Sequence, residues 1–595
     1  MSRIFHISPP GSMASSARFP LVLAGTAAVG VLLAWIPVQD SQTSAAVPVG
    51  TATVPADGYA VRNQTVIDRC SRCHVVDDEG RMSRISYLRK TPEGWQTSIR
   101  RMVALHGARL NQADAREIVR YLADEQGLAP EELRPGHFEV EARTIGYPYD
   151  YPGDSDVEFT CIQCHSMGRV ITQRRTEEEW GLLLATHRAL YPLVDFQAFR
   201  RAGPPPEEGD PRHPMDRAID HLSDVFPLET AEWAAWKATK RSPRLAGAWA
   251  LSGYETGKGP IYGTVTIAPV AGDPDAFTTT TTMIYAETGE RVEREGEALV
   301  YTGYQWRGRS NQGSDSELRE VMFVERDQQE MFGRWFTGAY EEMGPDVTLR
   351  RVSGAPVLSG VHPKALRAGE TTTVTLYGSN LPTSGSGTDV LDFGAGVEVV
   401  SVESRSADAY RLRLAVDDDA LTGRRDLFGF GVLEPEVVVV HDGVDRIAVT
   451  PETGMARVGG AAFPKEFETF DAIAYDNGAD GEPDTEDDLE LGRVDVSWHV
   501  EEYAAIFGDD DIDYVGTMRP DGVFVPALDG PNPDRPGNRN NIGDVWVVAT
   551  YENGGEPLTA RGHLVVTVPL YIKFDPWRPI DDGRRPVGDT PEAPR

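Results

Sequence analysis

Cysteine is scarce: the 595-residue chain holds four, in two Cys-x-x-Cys pairs that begin 91 residues apart, at Cys70 and Cys161. So few thiols argue against a disulfide-stapled scaffold, and the separation does not suit a zinc ribbon, whose pairs lie roughly 15–20 residues apart. Positive charge is also short. Lys and Arg number 58 against 92 Asp and Glu, a formal net charge of −34, which argues against nucleic acid or an anionic membrane surface as a partner. The deficit is uneven, because residues 57–245 hold 30 acidic and 26 basic side chains whereas residues 246–595 hold 61 and 30. The sequence has no HExxH, no Gly-rich nucleotide loop and no nucleophile motif, so metalloprotease, nucleotide-dependent and nucleophilic chemistries lack their usual residues. There is one long apolar run, Phe19 to Val38, and the chain beyond it reads as soluble.

Both cysteine pairs end in histidine, as Cys70-Ser71-Arg72-Cys73-His74 and Cys161-Ile162-Gln163-Cys164-His165. Two thiols one short turn apart can add to the two vinyl groups of one haem, and the next residue then lies under the iron as proximal ligand. The spacing therefore predicts two covalently bound haem c groups, on Cys70 and Cys73 with His74, and on Cys161 and Cys164 with His165. A zinc site, a thioredoxin-like pair or disulfides would not need the trailing histidines. Haem is attached to this motif outside the cytoplasm, so an export signal is expected. Arg3 and Arg18 ahead of the apolar run, and Ser44-Ala45-Ala46 after it, predict a signal peptide over 1–46 and a periplasmic protein. The run is also long enough for a retained anchor of about 20 residues, but Gly25, Gly30 and Pro37 suit a removable segment.

A chain of this length divides into about four domains, and the architecture expected is multidomain α + all-β. Residues 57–244 read as a duplicated helical unit. Thr91-Pro92-Glu93-Gly94-Trp95 and Thr176-Glu177-Glu178-Glu179-Trp180 each look like a Thr N-cap, an acidic first turn and an amphipathic helix. A closing helix is expected over Gln112 to Glu125, and another from Met215 through Ala238, broken at Pro227. Beyond residue 244 the apolar period falls to two, with Gly and Pro punctuation. Residues 245–352 predict an antiparallel β-barrel, with strands over Tyr262 to Ile267, Phe277 to Tyr285, Ala298 to Tyr304 and Met331 to Phe336. Residues 354–443 and 444–576 are two further strand-rich units; Pro356-Val357-Leu358, Thr371 to Leu376 and Tyr377-Gly378-Ser379-Asn380-Leu381 resemble the opening strands of immunoglobulin-like domains, which implies Ig-like β-sandwiches, and 577–595 is expected to be a disordered tail.

The distal iron ligands follow from the repeat. Aligning the two helices on Trp95 and Trp180 puts Met102 and His187 at one offset, seven residues after each Trp. The expected axial pairs are His74 with Met102 and His165 with His187. Rivals are His106 for the first iron, and His213, Met215 and His221 for the second; Met167, two residues past His165, is too close to reach the far face. The remaining histidines, His6, His137, His362, His441, His499 and His563, read as ordinary polar positions. A Met/His iron has the higher potential, so electrons are expected to run from the His165/His187 haem to the His74/Met102 haem and outward. The loop of Asp476, Asp480, Asp484, Asp487 and Asp488 could offer oxygen ligands to calcium, but it lacks the EF-hand Glu and reads better as a solvated hairpin loop. Arg69, Arg72, Arg81, Arg84, Arg89 and Lys90 form a basic series that could face haem propionates, an acidic partner or solvent.

The two motifs, the Met/His contrast in the repeated helices and the three β modules in that order resemble the alpha subunit of quinohaemoprotein amine dehydrogenase. The resemblance implies a periplasmic dihaem electron-transfer subunit with no catalytic residue of its own. Its partners would be a β-propeller subunit, a small subunit bearing a cysteine tryptophylquinone, and a soluble acceptor such as a cupredoxin or cytochrome c. With all four cysteines committed to haem, none remains here to build a quinone. A dihaem cytochrome c peroxidase-like enzyme and a stand-alone dihaem carrier with β binding modules are the alternatives.

Overall fold

The computed structural model describes residues 58–136, 155–161, 167–191, 194–197, 211–385, 390–504 and 510–569. The expected signal peptide and C-terminal tail, together with Cys164, His165 and His137, lie outside them.

The first helical unit contains α1 (Gln64–Cys70), α2 (Pro92–His106) and α3 (Gln112–Glu125), followed by a short α4 (Pro130–Leu133). The second contains α5 (Ser155–Cys161), α6 (Gly168–Ile171), α7 (Glu177–Leu190), α8 (Val194–Gln197), α9 (Pro214–Val225) and α10 (Ala231–Thr239). Local chemistry sets the helix ends. Asn63, Thr91, Asn111, Thr176 and Thr230 each accept a first-turn N–H on the side-chain oxygen, satisfying donors that the helix itself cannot. The helix expected over Met215 to Ala238 is two helices, parted around Pro227, as the proline requires.

Between the two units runs a two-stranded antiparallel ribbon, β1 (Leu88–Lys90) against β2 (Gln173–Arg175), in register Leu88↔Arg175, Arg89↔Arg174 and Lys90↔Gln173. The repeat offset that matches Trp95 with Trp180 also matches Arg89 with Arg174. The central pair of the ribbon is therefore a residue facing its own equivalent, and the units are related by a local two-fold axis. Hydrogen bonds outside the ribbon obey the same symmetry. The Thr91 N–H donates to the Thr172 carbonyl (3.4 Å), and the Thr176 N–H donates to that of Tyr87 (3.3 Å). Trp95 Nε1 donates to the Gln126 carbonyl and Trp180 Nε1 to that of Phe226, at 3.1 and 3.2 Å.

The next segment is a closed eight-stranded antiparallel barrel, running from Gly247–Glu255 to Asp346–Arg351, with the last strand paired to the first. The strand Ala276–Tyr285 shows why: its inward residues are buried and its threonines alternate between the two faces. Trp249, Trp306, Trp335, Met322 and Met331 fill the interior. That core is continuous with Leu128, Ala129, Leu133, Trp233 and Trp236 of the helical region. Trp236 Nε1 donates to the Thr302 carbonyl (2.9 Å) and the Tyr304 hydroxyl to that of Leu128 (3.1 Å).

Gly127 sits at this seam. A Cβ there would lie 2.2 Å from the Ala123 carbonyl oxygen and 2.9 Å from Thr302 Cγ2. Gly127→Ala is expected to cost about 1–3 kcal/mol, as overpacking does, measured by urea denaturation of the haem-loaded protein; unchanged stability would mean that the seam yields.

Two β modules follow. The first packs the sheet Val357–His362, Thr371–Ser379, Ala409–Val416 and Val397–Arg405 against the sheet Ala365–Arg367, Val432–His441, Gly423–Gly429 and Leu391–Asp392, around Leu358, Leu376, Leu412, Phe393 and Val438. The second has a three-stranded sheet (Arg446–Thr450, Asp471–Asp476, Leu489–Arg493), a four-stranded one (Thr453–Arg457, Leu558–Thr567, Gly543–Tyr551, Ser497–Glu502) and a further small three-stranded sheet, on a core with Phe470, Phe524 and Val547. The expectation of a helical domain followed by three β domains is met; their pairing is antiparallel except where Ala365–Arg367 runs parallel to Val432–His441 and Thr453–Arg457 parallel to Leu558–Thr567. No helix among the described residues is long and apolar enough to cross a membrane.

Candidate functional site

The first motif continues α1 as a tight turn. The Cys73 and His74 N–H groups both donate to the Cys70 carbonyl, at 3.1 and 3.0 Å. The turn holds the two thiols and the imidazole on one short stretch of backbone. Cys70 packs against the core of Val66, Trp95, Ile118 and Leu122, and burial, then the neighbouring Cys73, pushes its thiol up to about 11. Cys73 is exposed. His74 Nδ1 donates to the Ser83 carbonyl (2.7 Å). A carbonyl can only accept, so the proton is on Nδ1 and Nε2 is left as a metal-donor atom, the usual outer-shell arrangement of a ligating histidine.

Met102 is half-buried in the C-terminal half of α2. An open cleft of about 430 Å³ lies between Arg69, the residue before Cys70, and Val103, the residue after Met102, with Gly107, Leu110 and Asp114 on its walls. The flank of the first motif and the flank of Met102 thus meet at one cavity. His106, the rival, is exposed in the last turn of α2.

In the second unit Cys161 ends α5 and packs, with Leu183, on the core of Val157, Met167, Trp180 and Leu222. Burial, reinforced by the charge of Glu158, pushes its thiol up to about 12. His187 lies one turn beyond Leu183 on α7, and its Nδ1 donates to the Leu183 carbonyl (2.9 Å). Here too Nε2 is left as the donor atom. Burial holds this imidazole below its ordinary pKa, the Leu183 contact opposes that, and the charges of Arg101, Arg175 and Arg169 lower it further, favouring the neutral form that binds metal. Met102 and His187 occupy equivalent places in helices that start at equivalent residues, Pro92 and Glu177. His213 caps α9, accepting the Met215 N–H on Nδ1 (3.2 Å), and Met215 packs beside Leu184 and Val194. Met167 is buried in its unit's core, at the position equivalent to buried Met82. The donor set of each unit, two cysteines and a histidine with Met102 or His187, fits a haem of the c type, although Cys164 and His165 are outside the described residues.

Four family models match the chain. "Quinohemoprotein amine dehydrogenase A, alpha subunit, haem binding" covers residues 61–204, and alpha-subunit domains II, III and IV cover 242–352, 355–441 and 447–576. The chain belongs to the quinohaemoprotein amine dehydrogenase alpha-subunit family. It is a haem-binding electron-transfer subunit of a multi-subunit oxidoreductase, with its haem-binding domain first and three all-β domains after it. No curated protein matches at a significant level. Among solved structures, a redesigned β-barrel is 13% identical and covers 18% of this chain and 92% of its own (TM-score 0.16). A de novo fluorescence-activating β-barrel is 21% identical, covering 18% and 93% (TM-score 0.15). Human protocadherin-24 EC1-2 is 12% identical, covering 36% and 99% (TM-score 0.14). At these TM-scores the likenesses carry no argument.

Part of the basic series of this alpha-subunit domain is interior rather than surface. Arg69 pairs with Asp114 (2.7 Å) and Arg81 with Asp77 (2.7 Å) near the surface. Arg89 and Lys90, by contrast, are buried on the ribbon. All five Arg89 N–H groups are used, on Glu132 twice (2.8 Å each) and on the Leu228 carbonyl, the Gly127 carbonyl and Thr230. Arg174, its two-fold mate, lies 3.1 Å from the same Glu132. The signal was available, since the offset that aligns the tryptophans also aligns these arginines. In the acidic loop, Arg446 pairs with Asp484 (3.2 Å) and with Asp488, and Asp487 accepts the Ala479 and Asp480 N–H groups. Its carboxylates serve the loop itself, and no cluster of three or more potential metal ligands occurs among the described residues.

Proposed function

We propose that this chain is the dihaem c subunit of a periplasmic amine dehydrogenase, oxidising primary amines at CH–NH2. In this reading it receives electrons from a cysteine tryptophylquinone on a small partner subunit, beside a β-propeller subunit, and delivers them to a soluble cupredoxin or cytochrome c. The carrying observation is the two-fold equivalence of Met102 and His187, one soft and one imidazole donor at matching places in duplicated helices. When bound, each haem supplies a one-electron Fe(III)/Fe(II) couple. The chain's residues would do the rest: Cys70 and Cys73, and Cys161 and Cys164, would anchor the haems, and His74 with Met102, and His165 with His187, would supply the donor atoms to the irons. Ser83 and Leu183 fix the imidazoles of His74 and His187 through their carbonyls. Met102 sets its iron at a higher potential than His187 sets the other, giving electron transfer a direction. All four cysteines are used by the two motifs, so the quinone must be built on another chain.

Purification of the native complex tests this reading. The expected result is two covalent haems per chain by pyridine haemochrome, and co-purifying propeller and quinone subunits by mass. A fully stable lone chain, or a five-coordinate high-spin iron in the resting protein, would replace it with the stand-alone carrier or the peroxidase-like enzyme.

A further inference from the structure

His74 Nδ1 donates to the carbonyl of Ser83, nine residues on (2.7 Å), and the loop between them is closed on itself. The Val75 N–H donates to Ser83 Oγ (3.0 Å) and the Ser83 N–H to the Val75 carbonyl (2.9 Å). Val76 then bridges Met82 as an antiparallel pair. Ser83 thus holds His74 and Val75 with its carbonyl, its amide and its hydroxyl.

Asp77 is the hub of the turn. Its carboxylate accepts the Glu79 N–H (3.1 Å), the Arg81 N–H (2.7 Å) and Arg81 Nε (2.7 Å). Its own N–H donates to the Arg81 carbonyl, and its carbonyl accepts the Gly80 N–H, both at 3.0 Å. Gly80 turns with φ 80°, a conformation costly to any residue with a Cβ. The returning strand is docked from outside: the Val61 N–H donates to the Gly80 carbonyl (2.9 Å), Arg81 bridges Ala60, and Met82 is fully buried. A loop fixed at Asp77, Arg81 and Met82 leaves the Ser83 carbonyl little freedom to quit His74.

The second unit has too little chain for such a loop. Met82 and Met167 are equivalent, yet seven residues separate His74 from Met82 and one, Ser166, separates His165 from Met167. Even the tightest hairpin needs two residues in its turn alone. The closed loop therefore distinguishes the first unit from the second.

We infer that Asp77 and Arg81 are positioning residues for the iron carried on Cys70 and Cys73: they lock the loop that keeps the Ser83 carbonyl on His74, and so lower the potential of this iron and not of the other. The inference rests on the dihaem reading above. A carbonyl that accepts from Nδ1 makes the imidazole a stronger donor through Nε2, which favours Fe(III). Met102 pulls the same iron toward Fe(II). The lock offsets part of the methionine's effect, so that the iron at the outward end of the path gives its electron up more readily.

Redox titration of the full haem-loaded chain tests this with Asp77→Ala, Arg81→Gln and Arg81→Lys. In the first two, the methionine-ligated iron, identified by its sulfur-to-iron charge-transfer band, should shift threefold or more toward Fe(II). That is about 28 mV upward, at 59 mV per tenfold change for one electron. The bis-histidine iron should move by less than a third of that, and Arg81→Lys should return the potential to within the same margin of wild type. The hyperfine-shifted Nδ1 proton of His74 should exchange with solvent at least tenfold faster in Asp77→Ala and Arg81→Gln. The pair of variants separates a lock from a bare charge. Losing an anion raises a nearby potential and losing a cation lowers it, so charge alone would give the two variants opposite signs. Opposite signs, a smaller shift at the methionine-ligated iron, equal shifts at both irons, no recovery in Arg81→Lys, or an Nδ1 proton that exchanges as in wild type would overturn the lock alone. If Asp77→Ala takes up no haem, Arg81→Gln, which leaves the backbone bonds of the turn in place, decides by the same shift and the same exchange. One haem per chain in the wild type would overturn the dihaem reading, and with it the lock, which is defined by the contrast between two irons.

Discussion

Glu132→Gln is expected to destabilise the haem region by about 3–5 kcal/mol, because it strands two buried guanidinium groups that share one carboxylate. Arg89 and Arg174 are 0% and 5% exposed, and Glu132 is 8% exposed. The amide keeps the shape and one acceptor but removes the charge, so the loss reports electrostatics rather than a cavity. pH dependence gives a second handle. Burial raises the Glu132 pKa, but hydrogen bonding and charge from Arg89, with the charge of Arg174, overcome it and hold the carboxyl down to about 2. A depressed carboxylate contributes its stability above the unfolded value near 4.5 and loses it as pH falls toward the folded one. In the wild type about 3 kcal/mol should therefore disappear between roughly pH 5 and pH 2, and Glu132→Gln should flatten that part of the profile. Guanidinium denaturation across this range measures both; a variant as stable as wild type at pH 7 would mean that the ribbon does not depend on the pair.

The second large effect is on potential. Met102→His should lower the higher of the two midpoints on the order of 0.1–0.2 V, within the roughly 0.8 V that axial ligands span. Imidazole favours Fe(III) where thioether favours Fe(II), and the variant makes the two units alike at this position. The charge-transfer band of sulfur-ligated iron should vanish as the potential falls, and intramolecular electron transfer should lose its preferred direction. A potentiometric titration in which neither midpoint moves would remove Met102 from the ligand set and return attention to His106.

Local chemistry made the helices readable in advance. α2, α3 and α7 begin where a Thr or Asn cap precedes them, and α3 spans Gln112 to Glu125 as the apolar spacing dictates. The barrel strands were readable where threonine and large apolar residues alternate. Failures arose where distant residues decide. The strand expected through Tyr304 stops at Tyr301, because Thr302 turns with φ 56° and gives its N–H to Asp124 of α3 at 2.6 Å. Arg89 and Lys90 look like surface residues by type, and only Glu132 and the β2 strand, far along the chain, bury them. The turn of the first motif and the Met102/His187 offset were legible because each lies within one helix or one repeat. The carbonyl holding His74 was not, because Ser83 reaches it through an irregular loop.

The core shared by the helical region and the barrel limits how this subunit can move. Trp233 and Trp236 sit in one continuous packing with Trp249 and Trp306, and Arg120 bridges to Asp273 and Asp275 at 2.6 and 2.8 Å. Cutting the chain between residues 240 and 246 would divide that core and expose indoles on both pieces. The helical region is thus packed onto the barrel through α4 and α10 rather than hung on a tether. Under the function proposed above, the acceptor would have to come to this subunit.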